Sequence, residues 1–419
     1  MDILQQSLEQ ALATMSALFL ENLIARRLDE QGIKATKGLS TKLAKHALSG
    51  DSKPFRFRRG TQSRNITLTL SEKDADEVIQ ALERFCKTEV PKLIPSVATQ
   101  ISKSTLRDLK SRWADEHALQ NADLAGFRER LEERWGKPLR QLRMLLTMSR
   151  EWCEWTHNRE KSLSKHPKKA LREILIRLLV RACQVTDEIV CLLENGFADG
   201  AMARWRTLHE IAVVAAVISQ YGEDIAERYV AHQAVESKRA MDKYLVCCKQ
   251  LGYKTLSARA QAKIVEAYDR AVAKYGKTFK SDYGWAASHL KKEKPTFADL
   301  EAAAGRAEMR SHYQMGNDNV HAGIKSMFVR LGLLDNYNGL LAGRSNAGLT
   351  EPGQNTAHTL TQLAAIVCIS EPSFDDCVIA DMLRMLRDEI PQSFARAEAQ
   401  LRRDDKAHKA AQNGAGAES

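Results

Sequence analysis

Leu4, Leu8, Ala11, Leu12, Met15, Phe19, Leu23 and Ile24 recur at three- and four-residue intervals, which predicts an amphipathic helix with one face to bury against the body or a second subunit. Phe55-Arg56-Phe57-Arg58 and Ile66-Thr67-Leu68-Thr69-Leu70 alternate instead with period two around Arg59-Gly60-Thr61-Gln62-Ser63, the pattern of one β-hairpin at about 55–70. Ser71 stands three residues before Asp74, a cap-like start to a helix running towards Phe85. From about Asn121 to Glu194 the apolar residues keep helical spacing, and the same spacing continues through Ala201 to Gln220, Ile225 to Lys249 and Ser257 to Lys274. Asp335 to Asn355 interrupts it before Leu360 to Ile369 and Val378 to Leu401 resume. The expected fold is all-α, a multi-helix bundle with one small hairpin near the N-terminus. Its expected divisions are an N-terminal region (1–120), a central bundle (121–335), C-terminal helices (336–409) and a disordered tail (410–419).

Composition fits this picture: of 419 residues 44% are hydrophobic and 28% charged, with only 6% aromatic. A formal net charge of +10 suits a polyanionic partner without requiring one. The eight cysteines form no C-x-x-C pair and several lie in apolar helical stretches, as buried reduced thiols of a cytoplasmic protein would. Asp2, Glu9 and Glu21 interrupt the first helix, so neither a signal peptide nor a membrane span is expected.

No P-loop, dinucleotide fingerprint or G-x-S-x-G elbow occurs, and His209-Glu210 is followed by Val213 where a zincin needs a second histidine. No metal and no cofactor is therefore expected. Leu208, Ile211, Ala212, Ala215 and Ile218 mark one face of a helix from which Arg206 and Glu210 point away. Val213 and Val217 continue the Arg206 to Glu210 face, so that helix is expected to be central, with its charged pair partly enclosed. Such a pair is either an i, i+4 salt bridge or a phosphate site, and both readings stand at this point. In Arg310-Ser-His312-Tyr313-Gln-Met-Gly316-Asn317-Asp318-Asn319-Val320-His321, Gly316 is expected to end one helix and Asn317 or Asp318 to cap the next, with Asn319 beside them. His321 would then lie in a first helical turn, suited to act as a general base, or be a plain surface residue.

Between Lys137 and Arg181 twelve basic residues stand against four acidic ones, Lys168, Lys169 and Arg172 among the twelve. With Trp152, Trp155, Arg56 and Arg58 this stretch forms either a nucleic-acid surface or a solvated helix face.

The stretch from about Arg134 to Arg330 resembles the bacterial domain-of-unknown-function family DUF5677, through Arg134-Trp-Gly-Lys137-Pro-Leu, Gly196 and Gly200 before Ala203-Arg-Trp-Arg206-Thr-Leu-His-Glu210, Glu227-Arg228-Tyr229, and Val320-His321. That family is all-helical and looks like a distant relative of HEPN proteins, many of which are metal-independent ribonucleases of toxin and anti-phage systems. The likeness implies an RNA-directed ribonuclease or defence effector acting as a homodimer, with Arg206, His209, Glu210 and His321 catalytic and Arg204, Tyr229, Asp318 and Asn319 binding. The alternative is a non-catalytic nucleic-acid-binding or protein-interaction scaffold. Arg204 to His209 satisfies the HEPN spelling Arg-x(4 to 6)-His, yet on a continuous helix five residues place two side chains about 140° apart. Arg206 with His209 or Glu210 is within about 60°.

Overall fold

The computed structural model describes residues 2–49, 54–55, 67–161, 169–321, 323–334, 339–369 and 373–415. Among them every regular element is a helix, and no helix is long and apolar enough to cross a membrane. The chain divides into two compact units, Met1–Gln120 and Asn121–Ser419.

In the first unit α1 (Asp2–Glu30) packs on α2 (Lys37–Leu48) and α3 (Glu72–Thr88). Ile24, Leu28 and Ala44 form its small core, with Leu20, Leu43, Leu68 and Leu70 against them. Ser71 caps α3 in a reciprocal box with Asp74, and Arg27 bonds the same carboxylate at 2.6 Å. The Ser71 backbone N–H and Arg27 together hold the Asp74 carboxyl well below the usual carboxylate range.

The expected hairpin finds no support among the described residues. Residues 56–66, including Arg56 and Arg58, lie outside the described residues, and the described flanks 54–55 and 67–70 are not strand. Leu68 and Leu70 are half-buried on the α1–α2 core while Thr67 and Thr69 are exposed, so the period-two pattern arises from an irregular segment laid along helices. The helix α4 (Val90–Lys161) follows α3, and its residues up to Gln120 are nearly all exposed.

The second unit is built around α6 (Ala198–Tyr221). Trp205, Leu208, Ala212, Val213, Ala215, Val217 and Ile218 are fully buried, because α5 (Lys169–Glu194), α11 (Phe297–Ala303), α12 (Arg310–Val320) and α14 (Thr350–Ile369) all pack on it. The central position read from Val213 and Val217 is what the packing gives. The turn from α5 into α6 needs Gly196, whose φ is +73° and whose Cβ would meet the Phe127 ring and the Ser345 carbonyl at 2.6 Å. The periodic stretch from Ile225 breaks at His232 into α7 (Glu223–Ala231) and α8 (Gln233–Cys247), followed by α9 (Ala258–Tyr275) and the short α10 (Ala287–Leu290).

Beyond α12, the short α13 (Ile324–Phe328) leads to α14 and then α15 (Phe374–Ala415). Residues of α4, α14 and α15 share one hydrophobic core with the central helices. Three buried indoles tie it together: Trp135 donates to the Asn346 carbonyl at 3.0 Å, Trp152 to Asp376 at 3.0 Å and Trp205 to Thr359 at 3.0 Å. Truncating any one to Ala costs about 3–5 kcal/mol. At the other end α15 continues to Ala415. Residues 416–419 lie outside the described residues.

Candidate functional site

The two sequence segments singled out above meet where α12 lies along α6. Gly316 does not end a helix. It sits inside α12, where an added Cβ would come within 3.1 Å of the Arg206 Cβ and 3.3 Å of the Met202 carbonyl. The glycine serves close helix approach rather than termination. One turn away, the half-buried Glu210 carboxylate accepts from the Tyr313 hydroxyl at 2.8 Å and pairs with Arg206 at 3.0 Å. The Arg206 and Arg310 guanidinium carbons lie 5.1 Å and 5.3 Å from the Tyr313 ring centroid. Burial works against the Arg206 cation, and Tyr313 and Glu210 more than offset it. Burial, with Glu210 beside it, pushes the Tyr313 phenol up to about 12, so it stays a donor. The seam is nevertheless not closed on itself: Arg206 Nε and Asn317 Oδ1 are buried without a hydrogen-bond partner.

His209 points the other way, into the core. It is 1% exposed, its Nε2 lies 3.0 Å from the equally buried Glu301 carboxylate, and Arg310 holds the second oxygen of Glu301. Trp205 stacks on its ring at 5.3 Å. Burial lowers the His209 pKa, with Glu301 opposing. A neutral imidazole donating from Nε2 fits these partners, and a catalytic His209 does not. His321 is corrected too: α12 runs unbroken to Val320, so the exposed His321 follows its last turn instead of opening a new helix. The N-terminal dipole argument for a base at His321 therefore falls away.

The binding candidates disperse. Arg204 bonds Glu188 on α5 and Thr207, and Tyr229 packs edge-on against Trp285 with centroids 5.0 Å apart. Asp318 pairs with Lys325 at 3.1 Å. Lys169 is exposed at the start of α5, Arg172 is buried on that helix, and Lys168 lies outside the described residues. Of the basic stretch, Arg140, Arg143, Arg150, Arg159, Arg177 and Arg181 all have carboxylate partners, mostly from residues beyond it such as Glu132, Asp187, Glu188, Glu194 and Asp376. Trp152 is buried, and only Trp155, stacked under Arg159 at 4.4 Å, remains partly open.

Another concentration of positive charge begins at Lys137, the first residue of that stretch, and extends away from it. Arg130, Arg134 and Lys137 follow one another at helical spacing on α4 and face Ser393, Arg396 and Gln400 of α15 across a groove of about 360 Å³. Arg134 bonds Asp404 at 2.6 Å yet keeps a buried Nε with no partner. Arg130, Lys137 and Arg396 have no ion-pair partner among the described residues, and Glu133 is the single acid in the lining. On another side of α15, Glu398, Leu401 and Arg402 line a second cavity of about 310 Å³ with Asp318, Asn319, Thr350 and a set of apolar residues. Its cations are matched by acids: Arg330 by Asp199, Lys325 by Asp318 and Arg402 by Glu398. The sequence carried one sign of the groove, the spacing of Arg130, Arg134 and Lys137. Arg396 joins them only through the fold.

Residues 172–339 match the model of a family of unknown function, DUF5677. The central segment is thus similar to DUF5677. No curated protein and no solved structure matches the chain. The DUF5677 segment contains the whole α6–α12 seam, with Arg206, Glu210 and Tyr313. The basic groove lies outside it, contributed by the helices that precede and follow the DUF5677 segment and share its core. No group of acidic, histidine or cysteine side chains suited to a metal occurs among the described residues.

Proposed function

We propose that this chain binds RNA, with the α4–α15 groove holding the phosphates. The observation that carries the reading is the charge of Arg130, Lys137 and Arg396 around Arg134, unpaired among the described residues, in a protein whose arginines from Arg140 to Arg181 are mostly paired with acids. Guanidinium and ammonium groups left without counter-ions along a groove are the electrostatic footprint of a polyanion site. The groove meets phosphates alone; the choice of RNA over DNA comes from the HEPN likeness of the sequence. The mixed, charge-balanced cavity on the other side of α15 has the room and the apolar lining for a base. Titrating a labelled single-stranded RNA and the matching DNA with the full chain tests the reading: saturable RNA binding that weakens with salt supports it, and no binding at low salt sinks it.

A metal-independent cleavage at the α6–α12 seam is the second reading, favoured by one observation. In this reading the Glu210 carboxylate, bonded by Arg206 and Tyr313, takes the proton of a ribose 2′-hydroxyl as that oxygen attacks the adjacent phosphorus beside Arg206; the bond to the 5′-oxygen breaks, and that oxygen leaves with a proton from solvent, giving a cyclic phosphate. Incubating total cellular RNA with the protein in chelator, alongside Arg206→Ala, Glu210→Gln and His321→Ala, decides it. Intact RNA throughout leaves a binding protein; cleavage lost with Glu210→Gln but kept with His321→Ala places the chemistry at the seam.

A homodimer belongs to the same reading. Ile94, Val97, Ile101, Leu106, Leu109 and Trp113 are exposed along the first part of α4 and give a second copy an apolar face to cover. Sedimentation of the full chain before and after Ile101→Asp and Leu109→Asp tests it, a monomer throughout being the contrary result.

A further inference from the structure

Two recesses flank the same stretch of α15. The basic groove takes Ser393, Arg396 and Gln400 from it, and the mixed cavity takes Glu398, Leu401 and Arg402. A helix turns about 100° per residue, so with Ala397 set at zero Gln400 and Arg396 stand about 60° and 100° to one side, and Glu398 and Arg402 about 100° and 140° to the other. Between the two sides Phe394, Ala397 and Leu401 are buried in the core. The outward face is left to Gln392, Ala395, Ala399, Arg403 and Lys406, all of them exposed. Groove and cavity therefore lie on opposite flanks of one exposed crest and overlap along the helix axis.

The crest repels no phosphate. Arg403 bonds the Gln400 amide oxygen at 2.6 Å, and neither Arg403 nor Lys406 has an ion-pair partner among the described residues. The nearby Asp404 and Asp405 are engaged by Arg134 at 2.6 Å and Lys409 at 2.7 Å. Ala395 and Ala399 present only a methyl group each, so the crest is low where Arg396 and Arg402 stand on either side of it. The way over it is half the girth of a helix, about 15–20 Å, which a few nucleotides span.

The flanks differ in what they can hold. In the cavity Arg330, Lys325 and Arg402 are matched by Asp199, Asp318 and Glu398, and the fourth acid, Glu351, lies 2.7 Å from the His312 Nδ1, so no cation is left over for a phosphate. Met315, Leu331, Leu333 and Leu401 supply apolar lining, and Asn319 brings an amide with no side-chain partner among the described residues. An uncharged group with an apolar face and a hydrogen-bonding edge suits that lining, and a nucleobase is such a group.

We propose that a single strand of RNA crosses α15 at Ala399, with its phosphates in the groove on one flank and one unpaired base in the cavity on the other. This rests on the RNA reading above and narrows it to single strands. A base enters a pocket only when it is free of its partner, so a duplex has the groove alone to bind.

Fluorescence anisotropy of the full chain with three ligands tests this: oligouridine of about ten nucleotides, the same strand annealed to its complement, and a phosphoribose strand of equal length without bases. The single strand is expected to bind at least about tenfold more tightly than the other two, the gain of one held base. Asn319→Trp, which crowds the cavity, is expected to remove that preference and to leave the baseless strand within about twofold of its wild-type affinity. Ala399→Glu, which sets an acid on the crest at an exposed position, is expected to weaken the single strand about tenfold. Circular dichroism establishes that both variants are folded, and the baseless strand reads the cavity without any variant. The proposal is overturned if the duplex or the baseless strand binds the wild type as tightly as the single strand, or if folded Asn319→Trp keeps the full preference. Equal binding of all three ligands, lost when the groove cations are reversed, leaves the RNA reading standing while this one falls; no binding of any of them sinks both.

Discussion

Two basic regions of this protein draw on the same helix and differ in what stands opposite them. Along α4 and α5, Arg143, Arg150, Arg177 and Arg181 reach Asp187, Glu194, Glu173 and Glu188, and the excess of charge counted along the sequence is largely cancelled in space. Arg130, Lys137 and Arg396 line the α4–α15 groove together, and no acid among the described residues pairs with them. A linear charge count measures neither. What matters for a polyanion is charge left uncompensated after folding, since a paired arginine must first give up its carboxylate.

The contrast breaks most directly by reversing charge. Arg130→Glu, Lys137→Glu and Arg396→Glu combined are expected to weaken single-stranded RNA binding at least about a hundredfold, measured by fluorescence anisotropy, because each exposed cation removed also becomes a repulsive anion. Arg143→Glu with Arg150→Glu, on the paired face, is expected to change RNA affinity less than about threefold, since those charges are already matched. A loss as large as that of the groove variant would erase the distinction between the two regions.

The seam offers a different kind of perturbation. Gly316→Val inserts side-chain atoms between α6 and α12, where a Cβ alone already sits 3.1 Å from Arg206, and is expected to cost about 1–3 kcal/mol in urea unfolding. Binding at the groove should survive this change while any cleavage at the seam is lost.

A smaller effect follows from the buried histidines. His209, His232 and His358 are each held below the ordinary histidine value of 6.5, by burial first. The unfolded chain therefore takes up protons before the folded one. Stability is full above about pH 6.5 and is lost as pH falls through the lower folded values. Urea midpoints at pH 7.5 and 5.5 should fall with pH, and less steeply in His209→Asn. A midpoint that rises on acidification contradicts the neutral, Glu301-bonded state of His209.

Much of the fold was legible because apolar periodicity is a local property. The burial of α6 on all sides followed from Val213 and Val217 continuing the Arg206 to Glu210 face, and the Ser71–Asp74 cap from three-residue spacing. The alternation at Leu68 and Leu70 misled, because one-sided burial of an irregular segment produces the same period as a strand. Gly316 misled for a related reason: a glycine that lets two helices approach and one that ends a helix are spelled alike. The pairing of Arg206 with Glu210 was visible at four-residue spacing. Tyr313, which completes that pair, and Arg396, which completes the groove, come from segments far along the chain, and nothing local marks them.

The salt dependence of RNA affinity tests the central claim most directly. For a single strand the slope of log affinity against log salt is about −0.7 per phosphate contact, so three freely available groove cations predict a slope of roughly −2 in the wild type. In the variant with Arg130, Lys137 and Arg396 reversed, the slope should collapse towards zero, while Arg143→Glu with Arg150→Glu leaves it unchanged. A wild-type slope that persists in the groove variant would place the RNA elsewhere on the protein and contradict the account.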